Sequence, residues 1–428
     1  MQSHNPPHFV GSWSGDFGIS THHPAATAAA NAIRLQGGNV FDIAALACAW
    51  VTDPANCSPF GRMQGIYSLA GVVGCLGAAT RMRSVTDSTI PVPGNIAAWF
   101  WFRDSGRLRL SFRDLVAPAI VVARQGFTLS PALATALHLS SSDLTQDLRT
   151  IYLGDSASLR ALVRNPALSE LLRVLAESTC EDQFWRILRS SDPGPWQAEE
   201  GLENPVRDVT PRSLDAILGP NGEVERLFCT GNLETWGTWT LVGAAVAVEL
   251  RKCRALDDFG RAMEAYVLAT ILDRTLVRLK ESWWRAALGF SYAMQSRVVF
   301  EGQKHDVTEM SPLILETTNR PRLAIGAAGS ERILGALTYL LFLRFGLGLR
   351  EDMTRLMSQP TLFPKDGGIR VHREFCQAAR SHLESRGFTL TLADYSVEHH
   401  LGIVNLVERL DSGSYKSGTD LSGDGWAV

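Results

Sequence analysis

The sequence predicts an α/β protein, and three observations carry that expectation. Ala-rich and amphipathic runs with helical spacing fill most of the first two thirds of the chain. Strand–helix–strand runs fill the last third. The hydrophobic set makes up 45% of the 428 residues and charged residues 20%, a balance that supports a packed core and excludes a fibrous or wholly disordered chain.

The elements follow in order. Pro24 suits a first helical position, AATAAANAIRLQ continues the helix, and Gly37-Gly38 stops it. A second apolar helix covers Phe41 to Val51 and ends at Asp53-Pro54. The Ala spacing lets the two backbones approach closely. Small residues from Asn56 to Gly77 read as a loop and one short strand, Ile66 to Leu76. Pro91-Val92-Pro93-Gly94 is a rigid turn, and Asn95 is the expected cap of a helix through Trp99 and Phe102. Ser111 to Arg124 has helical spacing and stops at Gly126, and Ser130-Pro131 starts another helix.

Residues 140–190 read as helices with polar surfaces, and 190–212 as a linker or long loop. Helical patterns return at Thr238 to Leu250 and Asp257 to Leu288. Pro312 to Glu316 and Arg322 to Ile325 read as strands joined at Thr318-Asn319-Arg320. Gly326 to Ser330 reads as a small-residue loop opening the apolar helix Glu331 to Phe345. A helix from Arg373 to Arg386 stops at Gly387, and strands at Thr389 to Asp394 and His400 to Val407 follow.

Lys plus Arg total 41 and Asp plus Glu 44, so a net charge of −3 gives no general drive towards nucleic acid or anionic lipid. The seven cysteines (Cys48, Cys57, Cys75, Cys180, Cys229, Cys253 and Cys376) are odd in number and scattered, without C-x-x-C. They read as core residues of a reducing compartment rather than a disulfide framework or zinc site. The N-terminus lacks a basic start followed by an apolar run, and Leu334 to Leu343 is too short to span a bilayer. The expectation is a soluble cytoplasmic protein with no membrane or nucleic-acid partner and no cofactor or metal.

Motifs that carry chemistry by themselves are missing from the sequence. The pairs His22-His23 and His399-His400 place neighbouring side chains on diverging directions, and no H-E-x-x-H occurs. The Gly-rich stretches at Gly61–Gly65 and Gly326–Gly329 are neither G-x-G-x-x-G nor a Walker loop, and there is no G-x-S-x-G elbow. Trp283-Trp284 and Trp236/Trp239 read as core anchors or a ligand wall.

Longer segments do carry a resemblance. Ser20-Thr21-His22-His23-Pro24-Ala25-Ala26-Thr27, QGGNVFDIAALACAW and TDPANCSPFG occur in that order. PVPGNIAAW and LRLSFRDLVAPAIVVARQGFTLSPALATAL follow, then Glu309-Met310-Ser311-Pro312 with GAAGSERILGAL, then Phe388 to Val407 and Asp424-Gly425. Together they resemble the γ-glutamyltransferase (γ-glutamyltranspeptidase) family. The resemblance implies a four-layer αββα N-terminal-nucleophile hydrolase sandwich, with a large-subunit-like region over 1–290 and a shortened small-subunit-like region over 291–428. Residues 140–256 read as a helical insertion.

In that family the precursor cuts itself before a threonine. The freed threonine attacks the γ-glutamyl amide of glutathione or a conjugate, with its own α-amine as base and loop N–H groups holding the oxyanion. The implied partner is a small γ-glutamyl substrate such as a glutathione conjugate, and the implied setting is natural-product metabolism. The surviving loop positions are Thr308, Gly329 and Ser330, with Glu309 beside them as a further substrate-binding candidate and Thr308 the candidate nucleophile.

The departures are as informative. The family's T-T-H-x-S-V-V-D should fall between Leu288 and Met310, where this chain has GFSYAMQSRVVFEGQKHDVTE. The serine pair before Met-Ser-Pro is Thr308-Glu309, and a carboxylate there repels a substrate carboxylate. The substrate-carboxylate arginine has only Arg81 and Arg83 as nearest counterparts. Three readings stay open: a degenerate binding or scaffold pseudoenzyme, an enzyme with another nucleophile (Ser291, Thr308 or Thr275), or a shortened version of an active protein. On these grounds the chain is expected to be weak or inactive. The sandwich is expected to be either incomplete in its central strands or repacked by Val298–Phe300.

Overall fold

A computed structural model describes residues 10–42, 44–54, 57–78, 94–139, 141, 144–153, 162–191, 206–231, 235, 237–251, 258–268, 309–329, 332–365, 368–393, 402–420 and 425–428. They fall into two compact units. One comprises Met1–Gly18, Gln64–Gly77 and Asp208–Ser422, and the other Ile19–Met63, Ala78–Arg207 and Gly423–Val428.

The second unit is mainly helical. Helix α1 (Pro24–Leu35) begins at Pro24, and the His23 Nδ1 accepts the Ala25 N–H at 3.1 Å. Its Ala26, Ala29 and Ile33 pack in one core with Ala47, Cys48 and Val51 of α2 (Ala44–Thr52). The same core takes Trp99 of α3 (Gly94–Asp104) and Leu115 and Ala119 of α4 (Phe112–Gln125). Trp50 and Trp99 meet with ring centroids 5.3 Å apart. Ser111 and Asp114 form a reciprocal capping box at the start of α4. Asn95 does not cap α3, which already begins at Gly94. Its side chain instead donates to the Ser58 carbonyl at 2.6 Å and its backbone N–H to Gly61, tying the preceding loop to the helix. Helices α5 (Pro131–Leu139), α6 (Gln146–Tyr152), α7 (Pro166–Glu177) and α8 (Glu181–Ser191) complete the helices among this unit's described residues. Two strand pairs belong to it as well: β2 (Ser20–Thr21) with β17 (Trp426–Ala427), and β5 (Phe127–Thr128) with β6 (Leu162–Val163).

The first unit is built on a seven-stranded sheet in the order β1-β16-β15-β11-β10-β9-β8, antiparallel throughout. The strands are β1 (Val10–Gly15), β8 (Arg212–Leu218), β9 (Val224–Cys229), β10 (Leu313–Thr317), β11 (Arg320–Ala328), β15 (Ile403–Arg409) and β16 (Tyr415–Asp420). Leu227, Cys229, Leu313, Leu315, Leu323, Ile325, Val404 and Leu406 alternate onto one face and share a core with helices. Those helices are α9 (Gly237–Arg251), α10 (259–268), α11 (Arg332–Leu341) and α12 (Met353–Met357). Phe228, Ile314 and Glu316 point to the opposite face and are also buried. There Cys75 of β4 (Val72–Ala78) reaches the Cys229 carbonyl at 3.6 Å. Strand β4 lies between β3 (Met63–Leu69) and β7 (Val206–Val209) in a smaller sheet. The remaining sheet is β12 (Leu362–Lys365), β13 (Gly368–His372) and β14 (Leu390–Ala393), with α13 (Gln377–Ser385) preceding β14. The α/β class is the one expected.

Several expectations need correction. Ile66 to Leu76 is a hairpin, β3–β4, because Ala70 and Gly71 turn with positive φ of 51° and 79°. The small residues Gly326 to Ala328 are strand, since β15 pairs with them from Asn405 to Ile403. The expected linker carries β7, and Arg212 opens β8, while 192–205 lie outside the described residues. Strand β10 has a partner on both sides, β9 and β11, so no open position lies beside it, and the run Val298–Phe300 lies outside the described residues. Residues 298–300, Pro91–Pro93, Trp236, Trp283-Trp284, His399-His400, Cys253 and Asp424 lie outside the described residues. Among the described residues no helix is long and apolar enough to cross a membrane.

Helix α11 continues as a π-turn, Phe342–Gly346, which points Arg344 at the sheet. Its guanidinium makes a bidentate pair with Glu225 of β9, with Nε to Oε2 at 3.2 Å, and both residues are buried. Thr317 adds a bond to Glu225 at 3.4 Å.

Two outcomes follow from this packing. Arg344→Met strands the Glu225 carboxylate in the core and should cost about 3–5 kcal/mol in urea unfolding, whereas Arg344→Met with Glu225→Leu should recover most of that loss. Burial also lowers His22 and His23 to about 4 from 6.5. The unfolded chain therefore binds more protons between pH 6.5 and 4, and stability should fall as the pH drops through that window. His23→Asn keeps a cap acceptor, and its denaturation-versus-pH slope should be shallower by up to about 1.4 kcal/mol per pH unit.

Candidate active site at one end of the main sheet

Antiparallel order brings alternate strand ends to the same edge. Leu313 pairs with Cys229 and with Ile325, Arg212 with Cys229, and Ala328 with Ile403. One end of the sheet therefore gathers Thr210-Pro211 before β8, Thr230-Gly231 after β9, Glu309 to Pro312 before β10, Gly329 after β11 and Gly402 before β15. Arg344 and Glu225 lie towards the other end, beside the Thr317/Glu225 pair.

Of the expected site residues, Glu309 and Gly329 meet at this end, while Thr308 and Ser330 lie outside the described residues. Glu309 is buried, and its carbonyl accepts the Ser311 hydroxyl at 3.2 Å. Gly329 has φ +127°, a conformation that favours glycine. Its carbonyl accepts both the N–H and the Nε–H of Arg332, at 3.2 and 3.0 Å, at the start of α11. Gly402 has φ +111°, and a Cβ there would lie 2.5 Å from the Ala336 Cβ, so β15 starts directly against α11. The alternatives Ser291 and Thr275, and the arginines Arg81 and Arg83, lie outside the described residues.

The β8–β9 side adds groups that the sequence reading missed. Thr230 and Thr235 are buried and share a hydroxyl–hydroxyl bond of 2.8 Å, and Thr235 also accepts the Gly237 N–H at 3.4 Å. Thr210 is exposed. A Cβ on residue 231 would sit 1.8 Å from the Thr210 carbonyl oxygen, so the Thr210 backbone lies flush on Gly231. The available signal was Gly219-Pro220-Asn221-Gly222 between two β-like runs, and Gly222 does turn there with φ +87°.

The edge also holds two thiols. Burial pushes Cys75 up to about 12, against the Gly231 N–H. Burial and the neighbouring Cys75 push Cys229 to about 12, against Arg212. Both are protonated and unreactive at neutral pH. Among the described residues no group of three or more His, Cys, Asp or Glu could hold a metal ion. The edge thus offers hydroxyls, backbone N–H groups and the exposed Arg212 cation, a set suited to acyl chemistry.

The family model described as Gamma-glutamyltranspeptidase matches residues 76–186 and 279–428. The fold is similar to cephalosporin acylase from Bacillus halodurans, with a TM-score of 0.74 at 15% identity over 100% of this chain and 98% of that one. It is similar to LmbA2991HD, with a TM-score of 0.72 at 15% identity over 100% of both chains. It is also similar to the transpeptidase CapD of Bacillus anthracis, with a TM-score of 0.51 at 16% identity over 62% of this chain and 93% of that one. No curated protein sequence matches. The family match spans more than half of the chain, which therefore belongs to the gamma-glutamyltranspeptidase family and has an N-terminal-nucleophile hydrolase fold that supports γ-glutamyl or acyl transfer and hydrolysis.

Proposed function

We propose that this chain transfers or hydrolyses the γ-glutamyl group of glutathione or a glutathione-type conjugate, in the processing of natural-product adducts. The observation that carries this reading is the gathering of hydroxyls, Gly329 and the start of α11 at one end of the sheet. A hydroxyl attacks the amide carbonyl, the amine leaves with a proton, and water or an acceptor amine takes the acyl group from the resulting ester. The Gly329 N–H is the proposed oxyanion donor, as a backbone N–H of a small-residue loop can be. Thr308 and Ser330 remain proposed substrate contacts of that loop, beside Glu309 and Gly329.

A second reading, a non-catalytic binding or scaffold protein on the same fold, is favoured by Glu309. A buried carboxylate stands where the family has a serine. It disfavours a substrate carboxylate nearby and favours a substrate that turns an amine towards it.

Purified chain should release the amine from a γ-glutamyl anilide and from an S-alkyl glutathione, with glutamate as co-product. Loss of both signals in a chain that still binds the S-alkyl glutathione by calorimetry would select the scaffold reading. Glu309→Ser should lower KM for the glutathione substrate about tenfold if carboxylate repulsion limits binding, and leave it unchanged otherwise.

A further inference from the structure

We infer that Arg212 binds a carboxylate on the leaving side of the substrate, so that the site selects peptide amides ending in a free carboxylate over amides of simple amines. The inference deepens the preceding reading and rests on it for the reaction.

The first observation is that this cation is unengaged. Arg212 is exposed, and among the described residues it has no acid partner. The other arginines of the main sheet are occupied or elsewhere. Arg226 pairs with Asp215 at 2.7 Å and Arg322 with Asp411 at 2.9 Å, while Arg320 and Arg409 lie at the opposite end, beside Thr317 and Tyr415. Arg332, at the start of α11, is held by the Gly329 carbonyl at 3.0 Å. Arg212 is thus the cation left to a ligand at this end, and its planar fork matches a carboxylate.

The second is its mounting. Arg212 pairs with Cys229 in the ladder, and its N–H meets the Cys229 thiol. Its Cγ lies 3.4 Å from the point that a Cβ on residue 231 would occupy, so the stem runs over Gly231. With the stem placed, mainly the head remains free, and less freedom is lost when a ligand binds.

The third is spacing, and it decides which carboxylate is bound. Arg212 is on β8 and Gly329 follows β11, three strands across the sheet. At about 4.8 Å per strand they stand at least about 14 Å apart. A γ-glutamyl group with its carbonyl at Gly329 holds its own α-carboxylate only a side chain's length away, too close to meet Arg212. Residues beyond the scissile amide add about 3.5 Å each, and the arginine stem reaches back towards them. A leaving group of two or more residues ending in a carboxylate bridges the gap, and an anilide does not. Glu309, buried before β10, repels a carboxylate on its own side. Beside β8 is therefore where this edge accepts one.

The test is calorimetric binding of S-hexylglutathione and of its glycine amide to the full chain, at low and raised salt. Wild type should bind the free acid about tenfold more tightly than the amide. Salt should shrink that preference, because an exposed ion pair is screened. Arg212→Met, with an unchanged circular dichroism spectrum, should bind both ligands alike, and Arg212→Lys should keep part of the preference. Equal affinity of wild type for acid and amide, a full preference in Arg212→Met, or no binding of either ligand would overturn the inference. The wild-type comparison decides even where a variant does not fold.

Turnover on the same samples separates the two proposals. Arg212→Met should raise KM for the S-alkyl glutathione about tenfold and leave KM for the γ-glutamyl anilide unchanged. An acid-over-amide preference without turnover keeps Arg212 and discards the reaction. Turnover without the preference keeps the reaction and discards Arg212.

Discussion

The antiparallel pairing of β9 with β10 is the constraint on which the rest of the structure depends. Strand β9 comes from residues 224–229 and β10 from 313–317, so the pair joins parts of the chain that are far apart in sequence. With β8 on one side and β11 on the other, this pairing sets which residues share an edge. A slip of one residue would move Leu313, Leu315 and Leu227 off the helical core and bring Glu316 and Arg226 into it. Register is therefore fixed by burial. The chemistry at the sheet's end follows from a hydrophobic requirement at its middle.

The opposite end is fixed by charge. Arg344 and Glu225 are nearly inaccessible and meet in bidentate geometry, with Glu223 as a further acid at 3.8 Å from Arg344. A buried pair of this kind adds little net stability compared with apolar side chains of the same volume, but it penalises every arrangement that separates the partners. The π-turn is what makes the meeting possible, since it re-aims the chain after α11. Helix α11 therefore has both ends tied to the sheet. Its start lies against Gly402, and its continuation is paired with β9. The loop at Gly329 inherits that rigidity.

What the sequence made legible were the elements with local signals. Pro24 and Gly37 bound α1, and the Ser111/Asp114 box starts α4. Thr318 and Asn319, both with positive φ, close the β10–β11 hairpin. The missed elements lack such signals or carry misleading ones. Strand β8 has exposed Arg212, Ser213, Asp215 and Leu218 and, among the described residues, one edge without a strand in the main sheet, so it carries no clear strand signal, and Arg212 read as the end of a linker. Gly326 to Ala328 read as loop because small residues signal turns, yet β15 beside them supplies the pairing. At the site, Glu309 and Gly329 were legible through resemblance. Thr210, Thr230 and Gly231 were not, because only tertiary register places them beside those two.

The physical chemistry of that edge also selects the kind of nucleophile it can use. Cys75 and Cys229 are present, but burial holds their thiols near 12, and a thiol that cannot ionise has lost its advantage over a hydroxyl. A hydroxyl does not need to ionise in advance. It needs a base within hydrogen-bond reach at the moment of attack, and an α-amine on the same residue meets that need without any second side chain. Among the described residues of this unit, His372 lies in β13 and His382 in α13, outside the main sheet. Among the described residues, this edge holds silent thiols, buried threonines and the exposed Thr210, so a hydroxyl rather than a thiol is the nucleophile it can supply. On that account the sheet register, which places the threonine, and the burial that silences the thiols belong to one design: the core decides which atoms stay available for reaction.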